Sequence, residues 1–171
     1  MGEFIENSPI NKVEWVDVDT LTANDYNPNV VYQQELKLLE FSIVTHGWIQ
    51  PILITTENVI IDGFHRYMIA KSSKALRDLS GGKVPVVKME LSEPERKLLT
   101  IRINRAKGSH IAFKMSDIIK SLVNEHGMPV KQIAKEIGAT KDEIELLLMD
   151  NVFKKLKIEE HEYSQAWYPS K

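Results

Sequence analysis

The stretch Asn58–Lys71, "NVIIDGFHRYMIAK", decides how the chain is read. Val59, Ile60 and Ile61 make a short β-branched run, the composition of a buried strand. Asp62-Gly63 breaks that run, and from Phe64 the apolar spacing becomes helical, with Tyr67, Met68 and Ala70 available for packing. A strand that ends in glycine and feeds a helix leaves the first N–H groups of that helix without intrahelical partners, at the positive end of its dipole. Such a corner suits an anion. Gly63 lets the backbone approach a ligand, Arg66 can fork onto phosphate oxygens, and His65 adds a donor or a second cation. The same residues also admit a purely structural arrangement, in which Gly63 turns the chain, His65 is half-buried and Arg66 pairs with Asp62.

Outward from this stretch the chain alternates strand and helix, an α/β (α+β) pattern with a mixed sheet. "KVEWVDVDTL" alternates Val13, Trp15 and Val16/Val18 with charges and reads as a first strand with one wet face. "TANDYNPN" is a loop. From Gln33 to His46 the apolar residues Leu36, Leu39 and Ile43, with Leu38 and Phe41 beside them, recur at helical spacing until Gly47 ends the run. Pro51–Thr55 and Val59–Ile61 flank the polar Thr56-Glu57-Asn58 and read as a hairpin. "LSGGK" then leads into the strand "VPVVKMEL", and a helix carrying Leu98, Leu99, Ile101 and Ile103 starts at Glu93 with Pro94 in its first turn.

After Phe113 the pattern is helical throughout. "MSDIIKSLVNEHG" has Ser116 in the place of an N-cap and Gly127 in that of a stop. "PVKQIAKEIG" and "TKDEIELLLMD" make two short helices around Gly138-Ala139, with Ile133, Ala134 and Ile137 set to face Ile144, Leu147 and Leu148, the layout of a helix-turn-helix unit. The expected division is therefore 13–110 as an α/β domain, 112–150 as a helical appendage and 151–171 as a tail.

The bulk properties narrow the function. A formal net charge of −2 over 171 residues argues against general phosphate neutralisation as a way of holding nucleic acid, so any DNA contact is local. The chain has no cysteine, which removes disulfides, thiolate metal sites and thiol nucleophiles and fits a reducing compartment. No apolar run reaches the roughly 18 residues of a membrane span and the first residues are too polar for a signal peptide, so a cytoplasmic protein is expected. His46, His126 and His161 lack metal-ligand spacing, His110 reads as a solvated junction residue, and no metal held by protein side chains alone is expected.

Several separated motifs in order, "NPNVVYQQELKLLEFSIVTHGWIQPILI", "IDGFHRYMIA", "VPVVKMEL" and "TIRINRAKG", resemble the amino-terminal domain of the ParB family, within the ParB and sulfiredoxin superfamily, over roughly Val13–Ser109. The resemblance implies a nucleotide site. Gly47, Gln50 and Pro51 match the family's helix, glycine and Gln-Pro strand opening, Asn27 and Pro28 match a short motif near the pocket, and Gly63, His65 and Arg66 match the phosphate-binding turn. Asn104 matches the asparagine of a later Glu-Asn-x-x-Arg motif, in which Ile103 replaces the glutamate and Lys107 stands in for the arginine. The implied cofactor is a nucleotide, CTP or ATP/ADP, with Mg2+. Isoleucine neither takes a proton nor orients water, so hydrolysis that needs the glutamate is not expected.

"DGFHR" is similar both to the sulfiredoxin turn and to that of related free-serine kinases. Phe64 stands where sulfiredoxins carry the reactive cysteine, which excludes sulfinic acid reduction. The kinase relatives supply a catalytic carboxylate from the loop before the first long helix, where this chain has Asp25, a residue that serves equally as a turn cap. In ParB proteins a helix-turn-helix unit follows the nucleotide domain and reads DNA. Lys131 and Lys135 are the candidate phosphate contacts here, helped by Lys154-Lys155, but the second helix offers Asp142, Glu143, Glu145 and Asp150 against Lys141 alone. Three readings follow: a nucleotide switch for DNA or partner binding, with homodimerisation open; a small-molecule kinase; or a nucleotide-free scaffold.

Overall fold

The computed structural model describes residues 2–24, 33–106 and 112–149. A short helix α1 (Gly2–Glu6) and a 3-10 turn (Pro9–Lys12) lead into β1 (Val13–Asp17), and α2 (Gln33–His46) precedes the hairpin of β2 (Ile52–Thr55) and β3 (Ile60–Asp62). Next come α3 (Phe64–Ser72), α4 (Lys74–Ser80), β4 (Lys83–Met89) and α5 (Glu93–Ala106), followed by α6 (Ala112–Asn124), α7 (Val130–Ile137) and α8 (Lys141–Leu148).

The four strands form one mixed sheet in the order β1-β4-β2-β3. β1 runs antiparallel to β4, from Val13 opposite Val87 to Asp17 opposite Lys83, β2 runs parallel to β4, and β3 closes the hairpin on β2. Val16 packs against the sheet core and Val18 is fully buried in a 3-10 turn. Val13 and Trp15 do not follow them inward and stay 42% and 54% exposed, because β1 is an edge strand with a neighbour on one side only. The core proper is Ile52, Ile54, Ile60, Val84 and Val86 under Tyr67 and Ala70 of α3.

The helical stretch that opens at Phe64 is two helices. α3 stops at Ser73, whose hydroxyl accepts from the Leu76 amide at 3.2 Å and starts α4, a helix hidden in sequence by its polar flanks. Ile69 and Leu76 meet Ile43, with Leu36 and Leu39 packed against them. Met68 faces solvent instead.

α6–α8 enclose a second core around Ile118, Ile119, Leu122, Ile133 and Ile144, which also takes in Leu98 and Ile101 of α5. Ser116 is not an N-cap. α6 begins a turn earlier, at Ala112, and the Ser116 hydroxyl is buried and donates to the Leu147 carbonyl of α8. α7 ends at Gly138 in the left-handed region (φ +67°), and Thr140 caps α8 by accepting from the Glu143 amide at 3.1 Å. No helix among the described residues is long and apolar enough to cross a membrane.

Candidate functional site

The corner between β3 and α3 takes its shape from Gly63, which sits at φ +96° as the N-cap of α3. A Cβ there would also lie 3.3 Å from the Ile52 Cα and from the Arg66 guanidinium carbon, so both backbone conformation and space require glycine. Glycine has no side chain with which to cap this end of α3. The Tyr67 amide makes the first helical bond, to the Gly63 carbonyl at 3.0 Å.

Arg66 lies against this corner with its side chain 12% exposed. Its Nη1 donates to the carbonyls of Gln50 (2.9 Å) and Pro51 (2.6 Å), and its Nη2 pairs with Asp62 at 3.2 Å. The inward pairing with Asp62 that the sequence left open is therefore present, and Arg66 also ties the segment after α2 to the end of β3. Burial pulls the Arg66 pKa down from the usual arginine value, and Asp62 opposes that pull. Nε–H and one Nη2–H lie outside these three bonds. His65 is half-buried, its ring edge-on to Phe64 at 6.2 Å.

α5 stands against β3. The Thr100 hydroxyl, on a residue 2% exposed, shares its one proton between the Arg96 carbonyl of its own helix at 3.1 Å and the Ile61 carbonyl at 3.2 Å, just before the corner. Asn104 is buried one helical turn further on, which puts it on the same face of α5 as Thr100. Gln50 is exposed at the side-chain level and joins the corner through its carbonyl. Asp25, Asn27 and Lys107 lie outside the described residues.

Thr100 and Asn24 are participants that the sequence reading did not single out. The Asn24 amide donates to the Ile60 carbonyl at 2.7 Å, while its Oδ1 is buried without a hydrogen-bond partner among the described residues. The signal for Thr100 was its helical spacing from Asn104. For Asn24 there was none, since an Asn in "TAND" reads as a turn residue.

At the far end of α5, Glu93, Glu125 and His126 bring ligand-type atoms within 4.8 Å of one another. The buried Lys97 ammonium occupies this cluster, 2.6 Å from Glu93, 3.8 Å from Glu125 and 2.7 Å from the Ser121 hydroxyl. A fixed cation thus already balances the carboxylates. Lys131 and Lys135 are exposed one turn apart on α7. The acidic groups near them are largely neutralised from within: Arg102 of α5 pairs with Glu136 and Arg105 with Glu143 at 2.5 Å, while Lys141 pairs with Glu145 at 3.0 Å.

The profile of the ParB N-terminal domain matches residues 3–101. Escherichia coli (strain K12) YbdM is 39% identical over 163 residues, covering 93% of this chain and 77% of that protein. A probable chromosome-partitioning protein ParB of Rickettsia felis is 22% identical over 152 residues, 88% of this chain, and the chain spans about half (51%) of that relative's length. The structure of C-terminally truncated ParB from Caulobacter crescentus complexed to the centromeric parS site superposes with a TM-score of 0.53 at 20% identity. That match covers 86% of this chain and 79% of the other, so the shared fold extends beyond residue 101 into the helical region.

Proposed function

The chain belongs to the ParB N-terminal domain family, and on that premise we propose that it is a nucleotide-binding module whose phosphates sit at the β3–α3 corner and whose occupancy switches the helical region toward DNA or a protein partner. The observation that carries this reading is the start of α3 at a left-handed glycine that has no capping side chain, with a guanidinium packed against it. An anion there supplies the missing cap and meets a cation that is already desolvated. Nucleotide phosphates would compete with Asp62 for Arg66, loosening its grip on the Gln50 and Pro51 carbonyls. Asn104 of α5 would contact the same ligand in this reading, with Gln50, Asn27 and Lys107 as further contacts and Mg2+ carried in on the phosphates.

α5 is the route by which such a change would travel. One face bonds to β3 through Thr100, and the other supplies Leu98 and Ile101 to the helical core and Arg102 and Arg105 to α7 and α8. A nucleotide that shifts α5 would therefore move the helix-turn-helix region or release its acidic groups. Lys131 and Lys135 are the proposed phosphate contacts when DNA is the target.

Calorimetric titration of CTP, ATP, ADP and GTP, with and without Mg2+, tests the site. One nucleotide should bind, and Arg66→Ala should weaken it by roughly 1.5–3 kcal/mol, the cost of a charge-assisted contact. Absence of binding by the wild type would remove the proposal. Nucleotide turnover that depends on a small-molecule acceptor and vanishes in Asp25→Asn would replace the switch with a kinase. For the helical region, nucleotide-dependent, salt-sensitive retention of duplex DNA that is lost in Lys131→Glu/Lys135→Glu marks DNA as the target. No retention in any condition marks a protein partner.

A further inference from the structure

A cavity of about 470 Å3 opens at the β1 edge of the sheet, among β1, the C-terminal end of α2 and α4. Three strand spacings, roughly 14 Å, separate that edge from β3 and the nucleotide corner. Ile43 and Leu76, 6% and 2% exposed, are its buried lining, and Trp15 and Trp48 line it as well. Val44 and Leu79 form an exposed apolar rim, 41% and 69% accessible. The hollow is open to solvent on one side and roomier than the gap left by a packing defect.

The chemistry of the lining restricts the occupant. Among the described residues no charged side chain lines the cavity to offset desolvation of an ion, which favours an uncharged ligand. Two indoles and four aliphatic side chains favour a flat aromatic ring over a sugar or a polar chain. Ser80 is the hydroxyl in the lining, and its proton is committed to the Leu76 carbonyl at 2.8 Å. What Ser80 can offer is therefore acceptor capacity, which a ligand N–H or O–H would satisfy.

We propose that the cavity formed by Trp15, Trp48 and Ser80 binds a free, neutral small molecule built on an aromatic ring with one hydrogen-bond donor, indole or a simple phenol in chemical class. This site is independent of the nucleotide corner and stands whether or not a nucleotide binds there. The segment it would order is shared, however: Gly47 and Trp48 line the cavity, while the carbonyls of Gln50 and Pro51 are held by Arg66.

Titration of the full chain with indole and N-methylindole, followed by calorimetry and by the 15N shifts of the tryptophan side chains, tests the proposal. Indole should move the Trp15 and Trp48 signals, and N-methylindole, which lacks the donor, should bind about three- to tenfold more weakly. Ser80→Ala should erase that difference between the probes, while Leu79→Asp, at an exposed position that leaves the core intact, should weaken both by at least about tenfold. No shift at either tryptophan, or equal affinity of the two probes for the wild type, overturns the proposal. So does binding of indole only in Trp167→Phe, which would assign the cavity to the chain's own third tryptophan, a residue outside the described ones.

Discussion

The start of α3 in the sheet half and the start of α8 in the helical half solve the same end-group problem in opposite ways. α8 begins under a Thr140 cap, and Arg102 and Arg105 reach across from α5 to neutralise carboxylates on α7 and α8. The helical half is satisfied at these points, although α7 starts at Pro129 without a side-chain cap from that residue and the His126 Nε2 is buried with no hydrogen-bond partner among the described residues. The sheet half leaves α3 without a side-chain cap at Gly63, keeps a buried guanidinium beside it, and leaves the Asn24 Oδ1 buried without a hydrogen-bond partner among the described residues. Groups left unsatisfied at a cost mark where a ligand is to be sought, and both candidate ligand sites belong to the sheet half.

That contrast holds only if α5 makes the two halves one cooperative unit, which Ile101 tests with the largest expected effect. Ile101 is 2% exposed and packs with the helical core, although its helix also bonds to β3. Ile101→Ala should cost about 2–5 kcal/mol. Both described tryptophans lie in the sheet half, so in a Trp167→Phe background fluorescence reports that half, while far-UV circular dichroism is dominated by the helices. Urea transitions from the two probes should shift together. A circular dichroism curve that moves while fluorescence stays put would show two independent units and break the proposed route through α5.

Gly63 and Gly138 sharpen the comparison at the next magnitude down. Both have positive φ, +96° and +67°, so alanine pays the left-handed penalty of roughly 1–2 kcal/mol at either site. A Cβ at Gly138 meets nothing within 4 Å, whereas at Gly63 it meets Ile52 backbone and the Arg66 guanidinium at 3.2–3.3 Å. Gly63→Ala should therefore cost about 1 kcal/mol more than Gly138→Ala in denaturant, since an over-packed contact adds to the backbone strain. It should also weaken nucleotide binding, which Gly138→Ala should leave unchanged. Equal costs would show that the corner has slack, which the proposed anion site does not allow.

Much of this was legible in the sequence, for physical reasons that differ by element. α2 runs from Gln33 to His46 as its spacing implied, because Gly47 provides the left-handed stop that ends the apolar periodicity. The hairpin and the glycine corner were equally readable, since each depends on residues adjacent in the chain. Contacts between distant segments were not. Ser116 resembled a cap because Ser in front of an apolar run usually is one, and only the packing of α8 shows that its hydroxyl is needed at the Leu147 carbonyl. Trp15 resembled a core residue because alternation cannot tell an edge strand from a central one. The arginine ties of α5 span more than thirty residues and leave no periodic signal.

The smallest expected effect lies at the N-terminal end of α5, where the cluster around Lys97 joins that helix to α6. The hydrogen bond from Lys97 holds the Glu93 carboxyl below the usual carboxylate value, against desolvation and with further help from the charges of Lys97 and His126. A carboxyl depressed on folding stabilises the folded state above its unfolded pKa, near 4.5, and that contribution disappears as pH falls through the lower folded value. Glu93→Gln should accordingly be less stable than the wild type at neutral pH, and the gap should close progressively below about pH 4.5. The difference is modest because Glu93 is half exposed and its attraction to Lys97 is screened by solvent. Thermal melts of the pair from pH 7 to pH 3 measure it. A gap that stays constant across that range would mean that Glu93 serves α5 as a neutral hydrogen-bond acceptor, and that Lys97 is balanced by Ser121 and Glu125 without it.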